Sequence, residues 1–149
     1  MFQPIRRNND HNQAVVVPTT SVLHEAPPGV DYTTNDTVFG EILRGEIPAK
    51  VWDETSNLLV FEDIHPCAIM HGLVIPKRYI GSVFDLTQVD IPLLEEMQAM
   101  ALTTIKTRHG DTRTTPTAAD DDYNLCFHVP PFNSVNHLHL HVLAPQSTM

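Results

Sequence analysis

Three histidines occupy alternate positions near the end of the chain, in the segment SVNHLHLHVLAP at residues 134–145. Side chains alternate between the two faces of a β-strand, so the imidazoles of His137, His139 and His141 would lie on one face while the intervening apolar side chains face the core. Packing alone does not explain such a row, because histidine titrates near neutral pH and commonly acts as a nucleophile, proton carrier or metal ligand. The row therefore predicts a chemically active face.

Two kinds of site are compatible with this row, a metal centre and a phosphate site. Zinc requires ligand nitrogens about 2 Å from one point, whereas neighbouring same-face positions of a strand are roughly 6.6 Å apart. Two histidines of the row could bind a metal with a ligand from elsewhere, but three along a straight strand could do so only with difficulty. The row fits a phosphate chain better, because one imidazole can attack phosphorus while its neighbours donate hydrogen bonds. The central His139 is then the expected nucleophile, and His71, which begins the segment HGLVIPK, could reach the same face.

The hydrophobic periodicity of the remaining sequence predicts the elements that hold this strand. A short amphipathic helix is expected over TVFGEILR, capped by Asp36 and ended at Gly45. A longer helix is expected from the Thr87–Asp90 pair to about Lys106, because apolar residues recur there at helical spacing. Five strands are expected, over the segments KVWD, LLVF, HGLVIPK, YNLCFHV and NHLHLHVL. Hairpins with inserted helices indicate an α+β fold with a mainly antiparallel five-stranded sheet and two helices.

The sequence predicts one folded domain preceded by a tail. Residues 1–35 carry many polar and proline residues without a sustained hydrophobic period, so they are expected to form a flexible N-terminal extension. The domain is expected to span residues 36–149. Within it, the turn-rich stretch at residues 109–122 is expected to be a mobile loop.

Charge and composition exclude several classes of protein. Acidic side chains outnumber basic ones by 18 to 9, a formal net charge of −9, which disfavours extended contact with nucleic acid. No apolar run approaches the roughly 20 residues of a membrane-spanning helix, and no export signal is visible at the start. Cys67 and Cys126 lack the spacing of a metal site and suggest no disulfide. We therefore expect a soluble protein of the cytoplasm, with the nucleus as a second compartment.

Three segments together resemble one known family. The segment HLHLHVL has the alternating histidines and following apolar pair that mark the histidine triad (HIT) superfamily of nucleotide hydrolases and transferases. TVFGEILRGEIPAKVW and FEDIHPCAIMHGLVIPK are similar to the Hint branch, the purine nucleoside phosphoramidases. The Pro130-Pro131 pair in FHVPPFNSVNHLHLHVLAP resembles a divergent Hint subgroup with a Pro-Pro segment before the triad. The resemblance covers residues 36–145 except the 109–122 stretch, and it implies a HIT-like domain.

The resemblance assigns a role to each matching residue. It implies that His139 attacks the α-phosphorus and forms a nucleotidyl-histidine, that His141 and His71 contact the phosphate, and that His137 orients the nucleophile through the strand backbone. Ser134 matches the donor to the phosphate or leaving group, and Asp63 matches the carboxylate that accepts the ribose hydroxyls. The remaining matches form an apolar purine pocket: Val38, Phe39, Ile42, Ile47, Phe61, Ile64 and Leu73. His65 and His128 lie outside the matched positions and are expected to be structural or surface residues.

The implied activity is hydrolysis of the P–N bond in purine nucleoside 5'-phosphoramidates, with an AMP or GMP derivative as the bound partner. Two alternatives stay open: a dinucleoside polyphosphate hydrolase of the Fhit type, and a nucleotide-binding scaffold with weak catalysis. Many family members bind zinc through cysteines near the first helix, but Thr37 and Gly40 stand at those positions, so no metal and no other cofactor is expected. A homodimer is a possible assembly.

Overall fold

Five antiparallel strands form a sheet in the order β1-β2-β3-β5-β4. In this computed structural model the described residues are 21–109 and 122–146. The strands have these bounds: β1 Val51–Glu54, β2 Leu58–Glu62, β3 Met70–Pro76, β4 Asn124–Phe127 and β5 Leu140–Ala144. Every neighbouring pair is antiparallel. The α+β fold with a five-stranded antiparallel sheet is therefore confirmed.

The central pair of strands sets the positions of the histidines. Strand β3 is buried along its whole length and pairs with β5, with His71 opposite Leu143 and Leu73 opposite His141. His71 and His141 are thus diagonal neighbours on one face, close enough for their rings to meet. Regular pairing in β5 begins only at Leu140, so the predicted last strand is shorter than the segment NHLHLHVL.

Two α-helices cover the sheet on opposite faces. Helix α2, Ile91–His109, packs Met97 and Ala101 against a core that includes Val74, Leu140 and Val142. The other face of the sheet carries a smaller core around helix α1, Val38–Leu43, which packs against β2 and β3. Both predicted helices are thus present. Across residues 21–109 and 122–146, no helix combines the length and hydropathy needed to cross a bilayer.

The start of α1 differs from the prediction by one residue. Thr37, and not Asp36, is the N-cap: its backbone is extended, and its Oγ1 accepts a hydrogen bond from the Gly40 N–H at 3.3 Å. A threonine hydroxyl in this position satisfies an N–H that has no partner within the helix. The helix ends at Gly45 as predicted, because the φ angle of +72° there is readily adopted only by glycine.

Residues 21–35, here called the N-terminal strap, pack against the domain and correct the prediction of flexibility for that part of the tail. The His24 N–H donates to the Leu43 carbonyl at 3.0 Å, and the buried Lys77 ammonium donates to the Glu25 carbonyl at 3.0 Å. Tyr32 belongs to the core around α1. These contacts depend on partners distant in sequence, so local composition did not indicate them. Residues 1–20 and most of the predicted 109–122 loop lie outside the described residues.

Candidate active site

His139, the central histidine of the triad, uses one ring nitrogen in a hydrogen bond to the backbone and lines a cavity. The Nδ1–H of His139 donates to the backbone carbonyl of His137 at 2.7 Å. A carbonyl can only accept, so Nδ1 must carry the proton and Nε2 must keep its lone pair. Burial lowers the pKa of the His139 imidazole below its usual value, which keeps the ring neutral near pH 7. His139 therefore has the protonation state of a nucleophile.

The first triad histidine is a buried anchor with both ring nitrogens engaged. His137 Nε2–H donates to the Pro76 carbonyl at 2.8 Å, and Nδ1 accepts from the Asn35 side-chain amide at 2.8 Å. Its side chain is fully buried, and this burial lowers the pKa of the imidazole to about 4. His137 is therefore neutral under physiological conditions and contributes its backbone carbonyl to the site.

The last triad histidine is oriented by a chain of hydrogen bonds that begins at a backbone amide. The Cys67 N–H donates to His71 Nδ1 at 3.0 Å, so the proton of the neutral His71 ring is on Nε2. That Nε2–H lies 2.9 Å from His141 Nδ1, which must accept it. The proton of the neutral His141 ring is consequently on Nε2.

This Nε2–H is a buried donor, and it has no hydrogen-bond partner among the described residues. An unpaired buried donor is costly, and such groups commonly face the ligand of a functional site. Burial, with the charges of neighbouring histidines, lowers the pKa of His141 to about 4, so the ring stays neutral. His141 thus presents a fixed donor beside the free lone pair of His139, with the ring centroids 4.9 Å apart.

His71 is separated from the cavity by the ring of His141. Both of its nitrogens are engaged, and it lies behind His141, outside the lining of the cavity that His139 and His141 face. In this arrangement a contact of His71 with a ligand would pass through His141, and the expectation that His71 contacts the phosphate stays a prediction.

A cavity of about 570 Å³ opens beside His139 and His141. Its walls are mainly apolar and come from α1, the following loop, β2 and β3. Ser134, which is exposed, lies on its lining with Asp63. All of the residues expected to form the purine pocket line it: Val38, Phe39, Ile42, Ile47, Phe61, Ile64 and Leu73. The structure thus brings together residues that are up to 103 positions apart in sequence, from Val38 to His141, around two imidazoles.

Phe39 joins the apolar wall to the triad. Its ring meets His139 edge-on at a centroid distance of 5.2 Å and His137 at 5.7 Å. A buried aromatic ring in this position excludes water from one side of the nucleophile and limits its rotation.

Asp63 follows β2 and contacts the histidine pair at the edge of the cavity. Its Oδ2 lies 3.3 Å from His71 Nε2 and 4.0 Å from His141 Nδ1, while Oδ1 accepts from the His65 N–H at 2.8 Å. This carboxylate therefore contacts both the turn that follows β2 and the histidine pair. Its charge opposes the effect of burial and raises the pKa of His71, though the net shift of that group is downward.

A fifth imidazole, which the sequence analysis left outside the site, stands over the triad. The exposed His128 directly follows β4, and its ring lies 4.1 Å from that of His141 and 6.4 Å from that of His139. The register of β4 with β5, which pairs Phe127 with Leu140, carries it there. Only this pairing, which the sequence does not specify, would have revealed its position.

Nitrogen atoms of His128, His139 and His141 lie within 4.8 Å of one another, a spacing that a metal ion could bridge. The hydrogen-bond chain argues for a different ligand, because His141 Nε2 carries a proton and a metal needs a lone pair. A fixed N–H donor beside a free lone pair suits an anionic oxygen and an electrophilic atom attached to it. The expectation of no metal here remains a prediction.

The place where family members carry cysteine-bound zinc offers no fit for that ion. Thr37 already caps α1, and a Cβ at Gly40 would lie 2.1 Å from the Asn35 carbonyl oxygen. Threonine and glycine supply no thiolate, the ligand that structural zinc sites favour.

A family model described as "Scavenger mRNA decapping enzyme C-term binding" matches residues 36–149. The mouse protein named adenosine 5'-monophosphoramidase HINT3 is 39% identical over 123 residues, which cover 79% of this chain and 70% of the mouse protein. The chain belongs to the histidine triad family. It is accordingly a hydrolase of the histidine triad type, as the resemblance implied.

Other histidine triad proteins support the same assignment. An Arabidopsis thaliana protein named bifunctional adenosine 5'-phosphosulfate phosphorylase/adenylylsulfatase HINT4 is 35% identical over 109 residues, covering 72% of this chain and 68% of that protein. The crystal structure of a HIT family hydrolase from Legionella pneumophila superposes with a TM-score of 0.61 at 35% identity, covering 72% of this chain and 90% of that one. The chain spans about two thirds of the length of the HINT3 proteins that it matches from mouse, Xenopus tropicalis and Danio rerio.

Proposed function

We propose that this protein hydrolyses purine nucleoside 5'-phosphoramidates to a nucleoside 5'-monophosphate and an amine, through a nucleotidyl intermediate on His139. One observation carries the proposal. The Nδ1–H of His139 is held by a carbonyl of its own chain, which leaves Nε2 as a free nucleophile beside the fixed N–H donor of His141. A phosphoryl group has an electrophilic phosphorus that His139 Nε2 can attack and an anionic oxygen that can accept the hydrogen bond from His141.

In the first step, His139 Nε2 attacks the α-phosphorus and the P–N bond to the amine breaks. His141 Nε2–H donates to a phosphoryl oxygen, where negative charge accumulates in the transition state. The Ser134 hydroxyl, on the same cavity lining, is assigned a second such contact. Because the donor of His141 is already oriented, little reorganisation accompanies the reaction.

The departing nitrogen must gain one proton to leave as a neutral amine. His137 and His141 hold no spare proton near pH 7, because burial keeps their pKa values at about 4. His128 is the exposed imidazole of the cluster and stacks on His141, so we assign it this proton. In the second step water attacks phosphorus and breaks the P–N bond to His139. Its proton returns to His128, and His139 is released neutral.

The nucleoside has a matching place in the cavity. The apolar wall around Phe39, Ile42 and Leu73 suits a flat purine ring, and the carboxylate of Asp63 suits the two ribose hydroxyls. The name of the mouse relative, adenosine 5'-monophosphoramidase, supports both the nucleoside and the bond that is broken.

The proposal is tested by turnover of adenosine 5'-phosphoramidate with the wild type and with His139→Gly. We expect turnover by the wild type and none by the variant, which should still bind AMP because the cavity walls are unchanged. Mass spectrometry of wild-type protein quenched at alkaline pH should show an adenylyl group on the peptide that contains His139. Substantial turnover by the variant would refute the assignment of the nucleophile.

The two alternatives are separated by measuring turnover of diadenosine triphosphate and the affinity for AMP alongside turnover of the phosphoramidate. Faster turnover of diadenosine triphosphate than of the phosphoramidate would favour a dinucleoside polyphosphate hydrolase. Tight binding of AMP with no adduct and no turnover of either compound would favour a nucleotide-binding scaffold.

A further inference from the structure

Next to the triad lies a buried side-chain amide for which the reaction has no direct use. Asn35 is 2% exposed, and its Nδ2 is 2.8 Å from Nδ1 of His137, which lies 102 positions later in the chain. It belongs to the N-terminal strap, ahead of the first helix. Burying a polar amide costs free energy unless the amide forms hydrogen bonds. The contact with His137 therefore indicates a structural or a functional role for Asn35.

The orientation of the amide is fixed by its other contacts. Asn35 Oδ1 accepts from the Thr37 N–H at 3.1 Å and from the Thr37 hydroxyl at 2.7 Å, so the oxygen end faces Thr37 and the NH₂ end faces His137. The backbone carbonyl of Asn35 accepts from the Arg44 guanidinium at 2.7 Å. Asn35 is therefore held from both its side chain and its backbone, and it can only donate to His137 Nδ1.

We propose that Asn35 is a positioning residue for the nucleophile His139, acting through His137. The His137 ring is clamped between the Asn35 amide and the Pro76 carbonyl, and this clamp fixes the His137 backbone carbonyl. That carbonyl holds the Nδ1–H of His139 and so aims Nε2 into the cavity. The proposal rests on the function proposed above, because Asn35 is assigned to orient His139, the nucleophile of that reaction.

The proposal also explains what stands in place of the family's zinc at the start of the first helix. Asn35 and Thr37 form a hydrogen-bonded pair there, and the Asn35 carbonyl occupies the space that a side chain at Gly40 would need. The pair ties the strap, the helix N-terminus and the triad together by hydrogen bonds alone.

The decisive variant is Asn35→Asp, which keeps the size of the side chain and the acceptor for Thr37 but removes the donor. The neutral His137 ring would then turn its Nδ1 lone pair towards a carboxylate oxygen, and the repulsion between these two acceptors would push the ring out of the clamp. We expect kcat for the phosphoramidate to fall about 10- to 100-fold, as for loss of a buried hydrogen bond, with little change in KM. Thr34→Ala, an exposed change in the same strap, is the matched control and should leave kcat unchanged.

A second readout is independent of turnover. Nitrogen-15 NMR of the histidine rings should show His137 as the neutral Nε2–H form and His139 as the Nδ1–H form in the wild type. In Asn35→Asp, His137 should no longer be held in the single Nε2–H form, and the His139 Nδ1–H should exchange faster with water. Unchanged kcat in Asn35→Asp, or unchanged His139 signals, would overturn the proposal.

The two proposals fail in distinguishable ways. If the wild type turns over no phosphoramidate, the proposed function fails, while the NMR spectra still decide whether Asn35 orients the His139 ring. Asn35→Ala adds a test of structure: a lower urea midpoint with kcat and the His139 signals unchanged would assign Asn35 to stability alone and so overturn the positioning role.

Discussion

His71 Nε2 lies 2.9 Å from His141 Nδ1, and this contact decides which form of His141 faces the cavity. The backbone N–H of Cys67 fixes the proton on His71 Nε2, and that proton in turn fixes the one on His141. A neutral histidine can exchange its two N–H forms at little cost in water. Here the Cys67 N–H fixes the N–H form of His71, and His71 fixes that of His141. The Nε2–H donor of His141 is therefore in place before a ligand binds.

Replacing His71 by Ala should therefore weaken binding of the phosphate group. Without its partner, His141 can place its proton on Nδ1, towards Asp63, and lose the donor that faces the cavity. We expect the affinity for AMP to fall about tenfold, the cost of one hydrogen bond to a charged group. Isothermal titration calorimetry with AMP and with adenosine separates the effects: affinity for adenosine, which lacks the phosphate, should change little. Equal losses for both ligands would contradict this.

Asp63→Asn should impair recognition of the ribose. A carboxylate accepts hydrogen bonds from two hydroxyls, while an amide directs one donor at them. KM for the ribonucleoside phosphoramidate should rise about tenfold, and KM for the 2',3'-dideoxy compound should stay near its wild-type value. Steady-state kinetics with the two substrates measure this difference. A parallel rise in both KM values would place the role of Asp63 with the histidine pair and not with the sugar.

His128→Ala should slow only those substrates whose leaving group needs a proton. The exposed ring is assigned to the departing amine, so kcat for the phosphoramidate should drop by about 100-fold, the usual scale of general acid catalysis. Adenosine 5'-phosphosulfate is the matched comparison, because sulfate leaves as an anion, and its formation of the His139 adduct should be nearly unaffected. Rapid-quench measurements of adduct formation test both. An equal loss with both compounds would rule out the acid role.

Stability should depend on pH through the buried histidines. His137 and His141 have pKa values of about 4 in the folded protein against 6.5 for an unperturbed ring, so the unfolded chain binds more protons between these values. Their contribution is fully present above about pH 6.5 and is lost as the pH falls towards 4. Urea unfolding from pH 7.5 to 4.5 should show this decline. His137→Asn should flatten it; a slope unchanged in that variant would contradict the assignment.

The pH dependence of catalysis should follow His139. Burial lowers the pKa of this imidazole, so the nucleophile stays neutral below the pH at which a free histidine becomes protonated. The acid limb of kcat/KM, measured in the folded range, should therefore lie below pH 6.5. A limb above that value would show that His139 is not desolvated in solution.

The sequence predicted the parts of the fold that local periodicity controls. The five strands, the two helices and the glycine that ends α1 are all present, because alternating or helical spacing of apolar residues encodes them directly. The cap of α1 was misassigned by one residue, since Asp36 and Thr37 are both suitable caps and only the backbone conformation distinguishes them.

The site was predictable where strand alternation or the resemblance to the family singles out a residue. His139, His141, Asp63 and the apolar wall meet at one cavity as expected. The contacts of Asn35 and His128 were missed because they depend on tertiary pairing: one reaches across 102 positions, and the other follows from the register of the last two strands. No local signal in a polar, proline-rich tail marks one asparagine as buried.

The strap has a practical consequence for how this protein is cut and expressed. A fragment that starts at residue 36, where the match to the family model begins, would retain every histidine of the cluster. It would nevertheless lose Asn35, together with the tyrosine at position 32 that fills the core beside α1. Such a fragment would contain all three triad histidines but would lack the hydrogen bond that holds the His137 ring. An inactive truncation would therefore not contradict the chemistry proposed for the intact chain.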